Sequence, residues 1–492
     1  MAVYYVRKSG SNNNSGTSPS TAWLTITKAA NTVTAGDTVY VGAGIYREMV
    51  TMVASGSSGS PISFIADVDG KQTGDAGLVI VSARDADNAA ETRAACLNPN
   101  EQSFIKWRGF VLDGCSGSNA AIKNAATGDP SYAGWEIENC VVIAGNSNLS
   151  YAMDLDWNQA TTPGANTGMR VRRCLFLGAV RFQWDGNASA NKDIDVVFEN
   201  CIFITSSNQN LFFFDRVTSN TYSIGGIDFL NCIFLGGTFG IQAENTVAAF
   251  PISVYNCLFI GQVSTALYRV GGESGGVVED YCRFHNTSAR SGVSAGANSS
   301  SVGMLGMLGS LADLPLWQFL GWSPYRPFEP MAALDGAFKS ALIDVASATY
   351  APEEDLYGQP RPMRRNVDDV GAVEARARAA KETTTVRTGS NALRLDGAGY
   401  HEILMPVNAA ATTVSVYGRY DSNYSGNKPK LEVVNIPGVA DQSATMAGPA
   451  NTWEQLSVNF TPTAQGICRV RLISQDTSAN GKCFFDDLFV VG

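Results

Sequence analysis

Phe198-Glu199-Asn200-Cys201-Ile202-Phe203 is one of six copies of a short pattern lying between Trp135 and Phe284. The others are Ile137-Glu138-Asn139-Cys140-Val141-Val142, Val171-Arg172-Arg173-Cys174-Leu175-Phe176, Phe229-Leu230-Asn231-Cys232-Ile233-Phe234, Val254-Tyr255-Asn256-Cys257-Leu258-Phe259 and a degraded copy, Glu279-Asp280-Tyr281-Cys282-Arg283-Phe284. Successive cysteines are 34, 27, 31, 25 and 25 residues apart. A self-similar unit of this length signals stacked structural repeats.

Each copy reads as a strand, a sharp corner and a second strand. Apolar residues stand three and five positions before Cys, as in Val196 and Phe198 or Ile227 and Phe229. Cys and the residue two further on alternate on the next strand, so both point inward. Asn precedes Cys in four copies, and Asn tolerates the left-handed backbone of a tight corner. Like residues at like positions imply coils stacked in register, with a ladder of Cys and a ladder of Phe inside. The expected fold is all-β: a right-handed single-stranded parallel β-helix. A propeller or sandwich would not repeat one corner between loops of changing length.

Composition agrees. Only 16% of the 492 residues are charged and 45% are hydrophobic, with 49 Gly, which suits a large core with many turns. The net charge of −10 and the lack of any basic run argue against nucleic acid as a partner. Two His and no CxxC pair argue against a zinc site. Six of the ten Cys belong to the inward ladder and are expected reduced. Sequence alone does not decide whether Cys96 pairs with Cys115, or Cys468 with Cys483. No run of about 18 apolar residues occurs, so no membrane span is expected. The opening Met1-Ala2-Val3-Tyr4-Tyr5-Val6-Arg7 lacks a secretory signal's apolar stretch, an expectation that favours assembly inside a cell.

Residues 3–50 read as an entry module. It has a strand at Val3–Val6, a polar loop, a short amphipathic helix over Trp23–Val33 capping the open end of the solenoid, and a strand around Thr38–Val41. Here Gly36-Asp37-Thr38-Val39-Tyr40-Val41 followed by Gly44-Ile45-Tyr46, with Gly109-Phe110-Val111-Leu112-Asp113-Gly114 later, resembles the pectate-lyase-like parallel β-helix superfamily. Ser340-Ala341-Leu342-Ile343-Asp344, Asp355-Leu356-Tyr357-Gly358 and Asp369-Val370-Gly371-Ala372-Val373-Glu374 resemble its closing segment, so the likeness spans residues 3–374. The superfamily hosts lyases, hydrolases, epimerases, adhesins and phage tailspikes, so the resemblance implies fold and leaves activity open.

Residues 1–374 are therefore read as the helix domain with its cap, 375–388 as a linker, and 389–492 as a separate β-sandwich. Seven strands are expected in the sandwich, the first at Ala392–Leu395 and the last at Cys483–Val491. Trp453-Glu454-Gln455-Leu456-Ser457 and Phe484-Phe485-Asp486-Asp487-Leu488 resemble carbohydrate-binding-module-like jelly rolls. In that family the terminal acidic pair often helps hold a structural calcium, which makes Asp487 the candidate ligand. The alternative is a surface acid pair at a strand start.

Beyond each corner a further strand recurs: Tyr151–Trp157, Val180–Asp185, Leu211–Arg216, Gly240–Asn245 and Ala266–Arg269. Aligning their ends places Asp156, Asp185, Asp215 and Glu244 in one carboxylate ladder with Arg269 next. Paired carboxylates at such spacing suit glycoside hydrolysis, so these four are the candidate catalytic residues. Trp157, Trp184 and Tyr268 are candidates to stack on sugar rings. A solvated row of strand-end acids is the bland alternative. The closely spaced Asp cluster of calcium-dependent pectate lyases is missing, which disfavours a lyase.

Two functions follow. One is a phage virion surface protein, a tailspike, fibre or decoration subunit, that contacts glycans or other virion proteins and assembles in the host cytoplasm. Phage β-helix proteins are commonly homotrimers, so a homo-oligomer is expected. The other is an extracellular polysaccharide hydrolase or lyase with an appended binding module.

Overall fold

The computed structural model describes residues 1–301 except 88, 125–132, 146–149, 157–165, 185–191, 206–208, 217–222, 245–250, 272–275 and 286. It also describes 349, 350 and 352, and 378–491 except 383, 389–391, 398, 408, 465, 479 and 480. The chain divides into two compact units, one of them Met1–Asp313 with Ala346–Gly358 and Val370–Val373.

The first unit is a parallel β-helix. Its strands fall into three parallel sheets of 10, 10 and 9 strands, each full coil contributing one strand to each. One full coil runs Asn166–Arg172 in the first sheet, Leu175–Leu177 in the second and Ala179–Trp184 in the third. Parallel crossovers are right-handed in nearly all known cases.

The corner between first and second sheets has the geometry read from sequence. Asn139, Arg173, Asn200, Asn231, Asn256 and Tyr281, each just before its Cys, all have φ between 52° and 56°. The four Asn suit this region; Arg173 and Tyr281 adopt it because the stacked coils impose it. Asn256 Nδ2 donates to Asn231 Oδ1 at 3.1 Å, tying two corners together.

Inside, Phe176, Phe203, Phe234, Phe259 and Phe284 form the second-sheet ladder. Successive rings are nearly parallel, with centroids 5.1, 4.8, 4.6 and 5.3 Å apart. That spacing matches the rise between strands of a sheet, so each ring stacks on its own image. Cys201 Sγ donates to the Val171 carbonyl of the preceding coil at 3.4 Å. All ten cysteines are free and buried, and burial pushes the thiols of Cys140, Cys174, Cys201 and Cys257 well up.

At the start, Val3–Val6 pairs with Thr38–Val41 in the first sheet. The helix is one turn, Ile26–Ala30, shorter than the Trp23–Val33 expected. Trp23 instead stacks on Tyr4 at 4.8 Å. Glu48 accepts the Ile26 and Thr27 N–H groups at 3.0 and 2.8 Å, satisfying the helix's first free donors. Ile26, Ala29 and Ala30 enter the core.

The second unit contains two antiparallel sheets. One holds Arg378–Glu382, Ala392–Asp396, Lys482–Val491, Thr412–Tyr420 and Glu454–Phe460; the other Gly399–Val407, Gly466–Asp476, Gly426–Val434 and Gln442–Thr445. All seven expected strands are present. Arg378–Glu382, within the expected linker, pairs antiparallel with Ala392–Asp396. The closing segment at 340–344 and 369–374, and the expected boundary at 374, lie outside the described residues. Among the described residues no helix is long and apolar enough to cross a membrane.

Candidate functional site

The outer face of the third sheet carries two rows of residues. The first runs Asp154, Arg181, Phe213, Gln242, Tyr268, Ser291, one residue per coil. The second lies two residues further along each strand. It runs Asp156, Gln183, Asp215, and then Glu244, which follows Ala243 as Asp215 follows Phe214.

The expected carboxylate ladder is thus corrected in register. Gln183, not Asp185, stands between Asp156 and Asp215. Asp185 and Trp157 lie outside the described residues, and only the backbones of Asp156 and Trp184 are placed. Val270, not Arg269, is opposite Glu244. Arg269 pairs with Ala243 and donates from Nε to the Gly292 carbonyl at 2.6 Å.

Asp154 was not among the expected site residues, although alternation from Asp156 puts it on the same face. It is 4% exposed. Arg181 of the next coil grips it with Nε–Oδ1 and Nη2–Oδ2 contacts of 2.9 and 2.8 Å. Hydrogen bonding to Asp154 pushes the Arg181 pKa up, keeping the guanidinium charged. That guanidinium lies 4.5 Å over the Tyr151 ring. Burial raises the Tyr151 phenol, and the Arg181 charge opposes the rise. The Asp215 charge acts on both Arg181 and Tyr151, so it belongs to the same cluster.

Further up the face, Gln242 accepts from Asn210 Nδ2 at 2.7 Å and donates to Glu244 Oε1 at 2.9 Å. Tyr268 and Phe239 are stacked at 4.4 Å with a 12° tilt. Half-buried Phe213 stands in the same row as Tyr268, with Gln242 between them. Such a surface offers flat apolar rings next to fixed donors and acceptors, the combination that orients a polar ligand with apolar faces.

In the second unit, Asp486 and Asp487 sit where the strand Lys482–Val491 shifts register against Thr412–Tyr420. Asp487 has φ 51°. Asp486, 9% exposed, accepts the N–H groups of Arg387, Thr388 and Asp487 at 2.7, 3.2 and 2.8 Å. Asp487 accepts from the Thr388 hydroxyl and the Arg387 guanidinium, and these lower its pKa. Among the described residues no group of three or more His, Cys, Asp or Glu is placed to hold a metal. Calcium takes about 6–8 oxygens, and the Asp487 carboxylate, as placed, already faces a guanidinium; this donor set does not fit calcium without displacing Arg387.

No family model matches this sequence, and no curated protein matches it. Among solved structures, a rhamnogalacturonan lyase is similar at 16% identity, covering 58% of this chain and 75% of the other, with a TM-score of 0.34. Pectate lyase Pel9A is similar at 13% identity, covering 76% and 96%, with a TM-score of 0.34. A family 16 carbohydrate-binding module is similar over 24% of this chain and 86% of the module, at 17% identity and a TM-score of 0.21.

Proposed function

We propose that this chain is a surface structural protein of a phage virion, a tailspike, fibre or decoration subunit, that contacts host or environmental glycans. The observation that carries the reading is the third-sheet face. There the stacked Phe239–Tyr268 rings and Phe213 share one face with the Asp154–Arg181 pair, Asp215 and Gln242. A stacked, rung-by-rung surface suits a repeating polymer, because both have a translational period.

The virion part of the reading is supported by a rigid stack of coils and by ten buried, free cysteines, which suit assembly in the host cytoplasm. The proposal includes a homo-oligomer, a trimer as in other phage β-helix proteins, with glycans or other virion proteins as partners. The helix Ile26–Ala30 is taken to cover the first coil's open end. The antiparallel sheet pair is taken as a jelly roll with its own glycan contact. A structural calcium at Asp487 belongs to the proposal only with Arg387 displaced.

A second reading, an extracellular polysaccharide hydrolase, draws on Asp215 and Glu244. They follow paired residues in neighbouring coils. Adjacent strands lie ~4.8 Å apart, near the ~5–5.5 Å between the carboxylates of retaining glycosidases.

Incubating the full chain with immobilised neutral and acidic polysaccharides, and assaying new reducing ends, tests both. Retained binding without product is the expected result. Product that disappears in Asp215→Asn and Glu244→Gln establishes the hydrolase instead, and no binding to any glycan overturns both.

A further inference from the structure

The outer face of the first sheet is built on a different plan. One row runs Arg108, Glu138, Arg172, Glu199, Leu230, Tyr255 through successive coils. The row two residues earlier runs Lys106, Glu136, Arg170, Val197, Asp228, Ser253. Over the early coils the charges alternate in sign and pair rung to rung, as in Lys106–Glu136 at 2.8 Å and Arg172–Glu199 at 2.7 Å. This pattern stabilises the stack, and its last pair, Arg172 and Glu199, also lines the cleft beyond it. The pattern stops at Leu230 and Tyr255.

At that point Thr349, Tyr350 and Pro352, part of the same compact unit, come alongside the sheet. Tyr350 lies flat against Tyr255, with centroids 3.8 Å apart and planes 6° apart. A cleft of about 700 Å³ remains, lined by Arg172, Glu199, Asp228, Ser253, Tyr255 and Tyr350 among others. That volume falls within the ~300–1,000 Å³ of ordinary ligand sites.

The chemistry of the lining narrows the ligand. The lining holds two guanidinium groups, Arg172 and Arg173, and two carboxyls, Glu199 and Asp228; Arg172 pairs with Glu199 at 2.7 Å and Arg173 with Glu138. The wall therefore has no excess charge, and neither a phosphate nor a metal cation finds a complementary field. It does present many donors and acceptors beside tyrosine rings. A polyhydroxylated neutral ring, with hydroxyls at its rim and C–H groups on its faces, matches that combination. Asp228 adds a particular capacity. Burial raises its pKa and the nearby Asp195 charge adds to the rise, while a hydrogen bond from Ser253 and the Arg170 charge oppose it. A carboxylate with both oxygens available accepts from hydroxyls.

We propose that this cleft is a second glycan subsite, distinct from the third-sheet face. It takes one or two neutral sugar residues, with Asp228, Glu199 and Arg172 bonding hydroxyls and Tyr255–Tyr350 forming the apolar wall. The assignment rests on the reading that the protein contacts glycans. It adds a site on a different sheet of the coil, so that one chain engages a polymer at two places and gains avidity.

The test is calorimetric titration of the full chain with neutral gluco-, galacto-, manno- and xylo-oligosaccharides, and with oligogalacturonate as the acidic arm. Thermal melts and far-UV circular dichroism check that each variant is folded. The expected result is two sites per chain, one weakened at least tenfold by Asp228→Ala and by Tyr350→Ala, and that same site unaffected by Arg181→Lys. A single site that responds to Arg181→Lys but to neither cleft variant overturns the proposal while leaving the glycan reading intact. Tighter binding of oligogalacturonate than of every neutral sugar at the Asp228-sensitive site overturns the neutral assignment. Absence of binding by any sugar overturns this proposal and the glycan reading together.

Discussion

Arg181 of one coil holds Asp154 of the coil before it through two parallel nitrogen–oxygen contacts of 2.9 and 2.8 Å, with the Asp154 side chain 4% exposed and the Arg181 side chain 23% exposed. The pair cross-links neighbouring coils from outside the core. Removing one partner strands a desolvated charge, a loss of ~3–5 kcal/mol for a buried pair. Arg181→Ala is expected at the lower end, about 3 kcal/mol, because Arg181 keeps some contact with water. Asp154→Ala with Arg181→Ala should cost less than the sum of the single changes. Urea unfolding of the three variants checks both points, and strict additivity would mean the pair is not coupled.

Asp228 carries a prediction in pH. A carboxyl whose folded pKa is raised binds its proton more tightly when folded. Its ionised form therefore costs stability above the folded value, and that cost disappears as the pH falls below the ordinary Asp value of ~3.9. Asp228→Asn should melt higher than the parent at pH 7, and the difference should shrink towards zero near pH 3.5. A variant that melts lower at pH 7 would show that the carboxylate is stabilising where it stands.

The corners allow a test of strain. Tyr281 sits at φ 55° in the place Asn takes in four other copies. Tyr281→Asn should stabilise by ~0.5–1 kcal/mol, because Asn visits this region at lower cost. Asn231→Ala should do the reverse and lose ~2 kcal/mol, since it also removes the acceptor for Asn256 Nδ2 at 3.1 Å. Differential scanning calorimetry resolves both signs.

Arg387 and calcium make opposite claims on Asp487. With the guanidinium in place, millimolar calcium or a chelator should leave the melting of the second unit unchanged. In Arg387→Ala the melting temperature should fall, and calcium should restore part of it. Calcium-dependent melting of the parent protein would show that Arg387 yields the site to the ion.

The corners were legible in the sequence because three demands coincide there: a left-handed residue, a small buried Cys, and, in five of the six copies, an aromatic two positions on. The third sheet was legible in face but not in rung. Placing Asp185 beside Asp156 and Asp215 displaced one strand by two residues, which preserves which face a side chain is on but changes its neighbour. The pairing Phe182–Phe214, one residue inward, is what fixes Gln183 opposite Asp215. Arg269 was displaced by one residue, and its row changed with it. Asp154 was hidden for another reason: its importance comes from Arg181 lying alongside, one coil away. The first-sheet cleft had no sequence signal, because Tyr350 reaches Tyr255 from 95 positions further along the chain. The strand Arg378–Glu382 was equally silent, its Ala, Lys and Glu being poor strand formers that pairing with Ala392–Asp396 recruits.

The self-stacked phenylalanines have a consequence for the length of the molecule. Asn231 and Asn256 leave their corners with φ of 52° and 56°, each followed by Cys, an apolar residue and Phe. A chain lacking residues 231–255 would join Leu230 to Asn256 and meet the same geometry one storey lower. Duplicating the segment would add a storey. The fold thus works as a ruler graduated in steps of ~4.8 Å. Its reach changes by whole coils, without redesign of the cross-section, and only the two end coils sense how many lie between them.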